Sequence, residues 1–188
     1  LQYNDLKIRG LYHDITRGKV PLLKQLYKIV DFISEYKINH LQFYVEDAYE
    51  FKEYEGVMTA ERVITAEELM AVDDYCYDNF IDFVPSMSSF GHLYSLLQSD
   101  KYKHLCELEN YEPRGTFWGN KMSHHTIDVS HPESIKLIES MLDQFVPLFR
   151  SQYFNICCDE TFDLCHGRNQ GKDPTICFCE FVNKIIIL

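Results

Sequence analysis

Residues 153–160 read YFNICCDE, a short aromatic and apolar run that ends in two acidic residues, Asp159 and Glu160. Such a run is typical of a buried strand, here predicted over residues 153–158. Similar runs occur three times earlier in the chain, and longer helical patterns separate them. The earlier strands are predicted over residues 8–13, 40–45 and 81–85. Each ends in polar side chains, which are Asp14, Glu46, Asp47 and Ser86.

The stretches between the strands have the features of helices. Leu26, Ile29 and Ile33 recur near the 3.6-residue period, and Thr65 stands three residues before Glu68 as in a capping box. Helices are predicted over residues 21–36, 65–79, 132–149 and 174–187. The long segment over residues 100–130, which contains Trp118, is predicted to be irregular.

Four strand–helix units in succession indicate parallel strands joined by right-handed crossovers. They would fit a small open α/β sheet, but polar residues at the carboxyl end of every strand favour a (β/α)8 TIM barrel, which builds its active site there. A complete barrel takes about 250 residues, and this chain has 188. Residues 1–188 are therefore interpreted as the N-terminal half of a barrel, about the first four βα units.

The composition excludes some classes of partner. The chain has 18 basic and 29 acidic residues, a net charge of −11, so nucleic acid would be repelled. No apolar run reaches the ~18 residues of a membrane span, so no membrane partner is expected. The N-terminus shows no secretion signal, so a cytoplasmic location is expected.

Seven cysteines, an odd number, show no disulfide framework and are interpreted as free thiols. Cys165, His166, Cys177 and Cys179 could be grouped around zinc, but their spacing matches no common zinc motif. No metal is expected.

The adjacent carboxylates Asp159 and Glu160 are the most specific local feature. Like charges at a strand end tend to raise the pKa of one carboxyl, and one protonated with one ionised carboxyl is what glycoside cleavage requires. A solvated acidic turn is the alternative. Consecutive strand residues point to opposite faces, so both side chains can reach one pocket only if the strand breaks between them.

Four motifs in the same order resemble those of glycoside hydrolase family 20, the β-N-acetylhexosaminidases. They are Arg9–Arg17, matching R-G-x-x-x-D-x-[ST]-R, then Tyr36–Asp47, Val84–His92 and Asn155–Thr161. The variants Glu46-Asp47 and Phe90-Gly91-His92 resemble the hexosaminidase D-like branch more than the lysosomal enzymes.

The resemblance implies a role for each matched residue. Glu160 would be the general acid and then the base, and Asp159 would orient the substrate's 2-acetamido group, which is itself the nucleophile. Arg9 would bind sugar hydroxyls, for which its fork of donors is suited, and it is expected to lie with the other site residues at the carboxyl ends of the strands. His92 would form a relay with Asp47 beneath Glu160, and Glu46 is the alternative to Asp47.

The resemblance also implies the reaction. It is hydrolysis of terminal non-reducing β-linked N-acetylglucosamine or N-acetylgalactosamine from a glycan, without any cofactor. The closing strands of the barrel would come from the missing C-terminal part, and an isolated half could be inactive. The alternatives are a non-catalytic carbohydrate-binding or scaffolding half-barrel, and an acetamido-directed hydrolase that uses two aspartates. The Asp-Glu pair argues against the last of these.

Overall fold

The computed structural model describes residues 5–57, 62–110, 115–116, 119 and 125–188. Trp118 and His124 lie outside the described residues. The contacts within the chain divide it into two compact units. The first unit is formed by Leu1–Glu50, Glu61–Met87 and Phe145–Asn155, and the second by Phe51–Ala60, Ser88–Gln144 and Ile156–Leu188.

The first unit contains a parallel sheet, as the crossover argument predicts. Its strands are β1 (Gly10–Asp14), β2 (His40–Tyr44) and β3 (Asp82–Val84), in the order β1-β2-β3. Gly10 pairs with His40, and His40 pairs with Asp82. The first three predicted strands are confirmed, each somewhat shorter than its apolar run.

The fourth predicted strand, over residues 153–158, is wrong in extent. It is reduced to one parallel bridge between Ser86 and Asn155, in which Asn155 N–H donates to the Pro85 carbonyl at 2.9 Å. The backbone then leaves the extended region, because Cys157 adopts a left-handed φ of 43°. Within this run Cys157 is buried and Tyr153 is exposed, so its apolar composition does not correspond to a buried strand.

Two helices pack in the first unit, α1 (Leu23–Glu35) and α2 (Ala66–Asp78). The predicted capping box is present at α2: the Thr65 hydroxyl accepts from Glu68 N–H, and the Glu68 carboxylate accepts from Thr65 N–H. The two helices meet through the rings of Tyr27 and Tyr75, whose centroids are 4.5 Å apart. Both helical predictions are confirmed within two residues at each end.

The second unit contains α3 (Tyr94–Leu97), most of α4 (Pro132–Phe145) and α5 (Pro174–Ile187). Short 3-10 turns lie at Lys52–Tyr54 and Lys103–Leu105, and a third, Val146–Leu148, follows α4 in the first unit. Asp173 caps α5 by accepting from two backbone N–H groups of its first turn, and Phe181 of α5 packs on Phe90 at 4.8 Å. The predicted bounds of α5 are confirmed, whereas the prediction for α4 runs beyond its end at Phe145.

The segment predicted to be irregular is anchored by a buried polar cluster in the second unit. Glu107 accepts from the backbone N–H groups of Gly167 and Asn169, and the Asn169 amide donates to both Glu107 and Asp128, at 2.6 and 2.7 Å. Burial favours neutral Asp128, but hydrogen bonds from Ser130 and Asn169 outweigh it and lower the pKa of Asp128. The cluster joins the chain that follows Glu160 to the loop around Glu107.

We expect Asp128→Asn to lower the free energy of unfolding by about 1–3 kcal/mol near neutral pH, because charge-assisted hydrogen bonds are lost. A depressed folded-state pKa stabilises the fold above the unfolded-state pKa of the group, and that stabilisation disappears as pH falls through the folded-state value. The difference between the two proteins should therefore shrink below about pH 4. Urea unfolding of both proteins over this range is the measurement, and a difference independent of pH would contradict the role of the Asp128 charge.

All seven cysteines are free thiols, as predicted, and four of them are buried. Burial raises the pKa of Cys76 and of Cys106 to about 12, so both stay protonated and pack as small apolar side chains. In the part of the chain that the structure describes, no helix is both long and apolar enough to cross a bilayer.

Candidate active site

The carboxylates of Asp159 and Glu160 converge on one nitrogen. His92 Nε2 lies 3.4 Å from Asp159 Oδ2 and 3.0 Å from Glu160 Oε2. Two consecutive side chains can do this because Glu160 has a left-handed φ of 52°, which breaks the alternation of an extended chain. The break required for the two carboxylates to share one pocket is therefore present. Both side chains are about half exposed, at 54% and 46%, so solutes can reach them.

The main chain of His92 is fixed by a hydrogen bond to a second buried histidine. It is buried and has a left-handed φ of 58°, and its N–H donates to His125 Nδ1 at 3.0 Å. His125 is also buried, and its N–H is 3.3 Å from Asp163 Oδ2. These bonds fix the main chain at His92 and His125, and the burial of the His92 side chain, which is 2% exposed, restricts the imidazole so that Nε2 faces the carboxylates.

Gly91 allows the acidic pair to come this close. A Cβ built at Gly91 would lie 2.6 Å from the Asp159 carbonyl oxygen and 3.5 Å from that of Glu160. Any side chain at this position would push the backbone of the acidic pair away from the His92 segment. The glycine is therefore required by a close backbone approach.

For the glycoside hydrolysis that the sequence resemblance implies, we expect Gly91→Ala in the full-length protein to reduce kcat about 100-fold, because a shift of about 1 Å in reacting groups can cost this much. Gly171→Ala is the control without a clash: its Cβ would meet nothing within 4 Å, and the left-handed strain at its φ of 87° should lower stability and leave kcat unchanged. Steady-state kinetics on the two variants is the measurement. Wild-type kcat in Gly91→Ala would show that the spacing of the pair does not matter.

The residues before the pair are packed and unreactive. Ser89 Oγ donates to the Ile156 carbonyl and lies 3.7 Å from Cys158 Sγ. Burial raises the pKa of Cys158 to about 11, despite the interaction with Ser89. The thiol beside Asp159 therefore stays protonated and is not a nucleophile.

A second charged cluster lies at the carboxyl ends of β1 and β2, within the first unit. The Arg17 guanidinium bridges Asp14 at 2.6 Å and the fully buried carboxylate of Glu46 at 2.8 Å, and lies over the Tyr44 ring. Burial alone would lower the pKa of Arg17, but its hydrogen bond to Asp14 and the charge of Glu46 raise it. Arg17 closes the first-strand motif, but no pattern in the sequence pointed to this role for it.

Asp47 directly follows this cluster and is partly buried. Glu46, its alternative in the predicted relay, is paired with Arg17. Asp47 belongs to the first unit and His92 to the second, so the relay between them stays a prediction.

The expected position of Arg9 at the carboxyl edge is wrong. β1 begins at Gly10, so Arg9 lies at the amino end of the strand, and its guanidinium donates to the carbonyls of Lys37, Leu6 and Lys7. These carbonyls precede β1 and β2, and their lone pairs attract the guanidinium to that edge. A role for Arg9 in binding sugar hydroxyls stays a prediction.

The geometry suits proton transfer. Two accessible carboxyl groups beside one buried imidazole can donate and accept protons at a bound ligand. His92, Asp159 and Glu160 are also the one group among the described residues whose potential metal-ligand atoms all lie within 4.8 Å of one another. The cysteine and histidine group around Cys165 and Cys177 does not meet that criterion.

The chain is similar to several known glycoside hydrolases. The chain is 22% identical over 163 residues to hexosaminidase D of Bos taurus, an alignment that covers 86% of this chain and 44% of the bovine protein. Its fold is similar to that of the Flavobacterium johnsoniae chitobiase, with a TM-score of 0.78, 22% identity and coverage of 95% of this chain and 29% of the chitobiase. It is also similar to the Streptomyces plicatus N-acetyl-β-hexosaminidase in complex with thio-NAglucal, with a TM-score of 0.70, 16% identity and coverage of 96% and 37%.

The chain thus spans less than half the length of each of these relatives. Its parallel βα arrangement corresponds to part of a TIM-barrel catalytic domain. Residues 7–172, most of the chain, match the catalytic domain of glycosyl hydrolase family 20. The chain belongs to glycosyl hydrolase family 20.

Proposed function

We propose that the full-length protein hydrolyses terminal non-reducing β-linked N-acetylhexosamine residues, with retention of configuration and with the substrate's own acetamido group as nucleophile. The observation that carries the proposal is the convergence of Asp159 and Glu160 on His92 Nε2. The chain would supply about the first four βα units of a (β/α)8 barrel, and the closing units would come from the rest of the protein.

Glu160 acts as the general acid. Its carboxyl is half exposed, so a glycosidic oxygen can approach it, while Oε2 stays 3.0 Å from His92 Nε2. It protonates the leaving oxygen as the bond to the anomeric carbon breaks, and then takes a proton from the water that completes hydrolysis. His92 positions the carboxyl of Glu160 through Nε2, since its imidazole is buried in the surrounding chain.

Asp159 orients the acetamido group and stabilises the positive charge that develops on its nitrogen. A direct attack by Asp159 on carbon is disfavoured by the geometry. In the two-carboxylate retaining mechanism the nucleophile and the acid flank the bond about 5–5.5 Å apart, whereas here two consecutive side chains both face one imidazole nitrogen, at 3.4 and 3.0 Å. An internal nucleophile of fixed orientation gives the required rate advantage without a protein nucleophile.

The substrate class follows from the family and its relatives. One solved relative, the Streptomyces plicatus enzyme, is a complex with thio-NAglucal. We propose N-acetylglucosamine and N-acetylgalactosamine at the non-reducing end of a glycan as the residues released, and no cofactor is needed for this chemistry. We also propose that the protein is located in the cytoplasm.

The experiment is an assay of the full-length protein on aryl β-N-acetylglucosaminides and on short β-linked N-acetylglucosamine oligomers. We expect one terminal sugar to be released per cleavage from the oligomers. Binding of the oligomers without any turnover of either substrate would instead support the non-catalytic carbohydrate-binding or scaffolding half-barrel.

A further inference from the structure

We propose that His92, Asp159 and Glu160 also form a binding site for a zinc-class divalent cation, and that occupancy of this site inhibits the enzyme. The inhibitory consequence rests on the proposed function, whereas the binding itself does not.

The spacing of the three ligand atoms fits a small metal ion. Zinc binds nitrogen and oxygen at about 2.0–2.2 Å in tetrahedral geometry, so neighbouring ligand atoms lie roughly 3.3–3.6 Å apart. His92 Nε2 lies 3.4 Å from Asp159 Oδ2 and 3.0 Å from Glu160 Oε2, and all three atoms are within 4.8 Å of one another. Small rotations of the two carboxylates would complete three corners of a tetrahedron.

The site is built on one rigid ligand and two adjustable ones. The side chain of His92 is only 2% exposed, and its main chain is bonded to buried His125. The two carboxylates are half exposed, so they can turn toward an ion, and water can occupy the fourth corner. A preformed imidazole with two mobile carboxylates requires little reorganisation on binding.

Charge favours the same ligand. Two carboxylates lie beside one imidazole nitrogen, and the chain as a whole has a net charge of −11. This negative charge raises the local concentration of divalent cations near the site. A donor set of imidazole and carboxylate suits zinc, whereas magnesium and calcium prefer sets made only of oxygen ligands. We therefore assign the ligand as Zn²⁺ or a chemically similar ion, and not Mg²⁺.

Binding and catalysis are mutually exclusive. An ion held by Glu160 Oε2 occupies the oxygen that would donate the proton, and one held by Asp159 Oδ2 prevents contact with the acetamido group. Inhibition by Zn²⁺ should accordingly be competitive with substrate and reversed by excess chelator.

The test uses the full-length protein, freed of metal by a chelator. Isothermal titration with Zn²⁺ measures affinity, and titration with Co²⁺ identifies the donors by absorption. His92→Asn removes the imidazole with a residue that tolerates a left-handed backbone, and Asp159→Asn changes an exposed ligand without disturbing the fold. His104→Asn is the matched control, because His104 Nε2 lies the same 3.0 Å from the carboxylate of Glu133, in a pair that includes neither Asp159 nor Glu160.

We expect one Zn²⁺ per chain at this site, at least about tenfold weaker in His92→Asn and in Asp159→Asn and unchanged in His104→Asn. The Co²⁺ spectrum should lack the intense sulfur-to-metal charge-transfer band that cysteine ligands produce. Zinc affinity that survives both ligand substitutions, or a strong charge-transfer band for the bound ion, would overturn the site. If the two ligand substitutions weaken Zn²⁺ binding but the protein has no glycosidase activity, the proposed function is refuted and the metal site is supported.

Discussion

Glu160→Gln in the full-length enzyme should lose about 10²–10⁴-fold of its activity on natural glycosides, the range that a general acid contributes. The same variant should retain far more activity on aryl glycosides whose leaving groups are acidic, because such groups need little protonation to depart. The loss should thus increase steadily with the pKa of the leaving group. A series of aryl β-N-acetylglucosaminides, assayed by kcat/KM, measures this slope.

The control for this prediction is Glu133→Gln. Glu133 is an exposed carboxylate that also lies 3.0 Å from a histidine nitrogen, in a pair that includes neither Asp159 nor Glu160. Its removal should leave the leaving-group series unchanged. An equal loss across the whole series in Glu160→Gln would mean that this residue binds or positions the substrate without donating the proton.

The sequence is most informative where local rules decide the structure. The capping box at Thr65 and Glu68 fixes the start of α2, and a proline after an aspartate fixes the start of α5. The parallel order of β1, β2 and β3 follows from the alternation of strands with helices, because a parallel connection requires a crossover. These features depend on neighbours a few residues apart along the chain.

The predictions that fail depend on contacts between distant segments. Residues 153–158 have the composition of a strand, but Asn155 is the one residue among them that forms a β-bridge, because Cys157 turns into the left-handed region. Arg9 matches a motif position, yet its guanidinium is drawn to carbonyls near Lys37, which no local pattern reveals. A motif identifies a residue, whereas the carbonyls and charges around it determine where its side chain lies.

The candidate site shows the same division. The adjacent acidic residues and the Gly-His pair are visible in the sequence, and the need for a break between Asp159 and Glu160 follows from strand geometry. The contact of both carboxylates with His92 depends on a left-handed Glu160, an unusual conformation for a non-glycine residue. Such a conformation persists only when the surrounding packing imposes it.

Asp159→Asn should weaken the binding of a cyclic thiazoline, a stable mimic of the intermediate that forms when an acetamido oxygen attacks the anomeric carbon. The wild-type enzyme should bind this mimic at least about 100-fold more tightly than free N-acetylglucosamine, because an enzyme is complementary to its transition state. Most of that advantage should disappear in Asp159→Asn, since the carboxylate partners the positive ring nitrogen. Inhibition constants for both ligands measure the effect, and Asp100→Asn, an exposed aspartate paired with Lys103, is the control.

The nature of the substrate gives an independent test of the same mechanism. Glycosides without the 2-acetamido group should turn over very slowly whatever their leaving group, because the protein supplies no nucleophile in its place. If Asp159 attacked carbon itself, a 2-fluoro sugar would trap a covalent adduct on it, and the thiazoline would inhibit weakly. That pair of results would refute substrate assistance. Their adjacency in the chain argues against this outcome, because two consecutive side chains that both face one imidazole nitrogen are poorly placed to flank a glycosidic bond across about 5 Å.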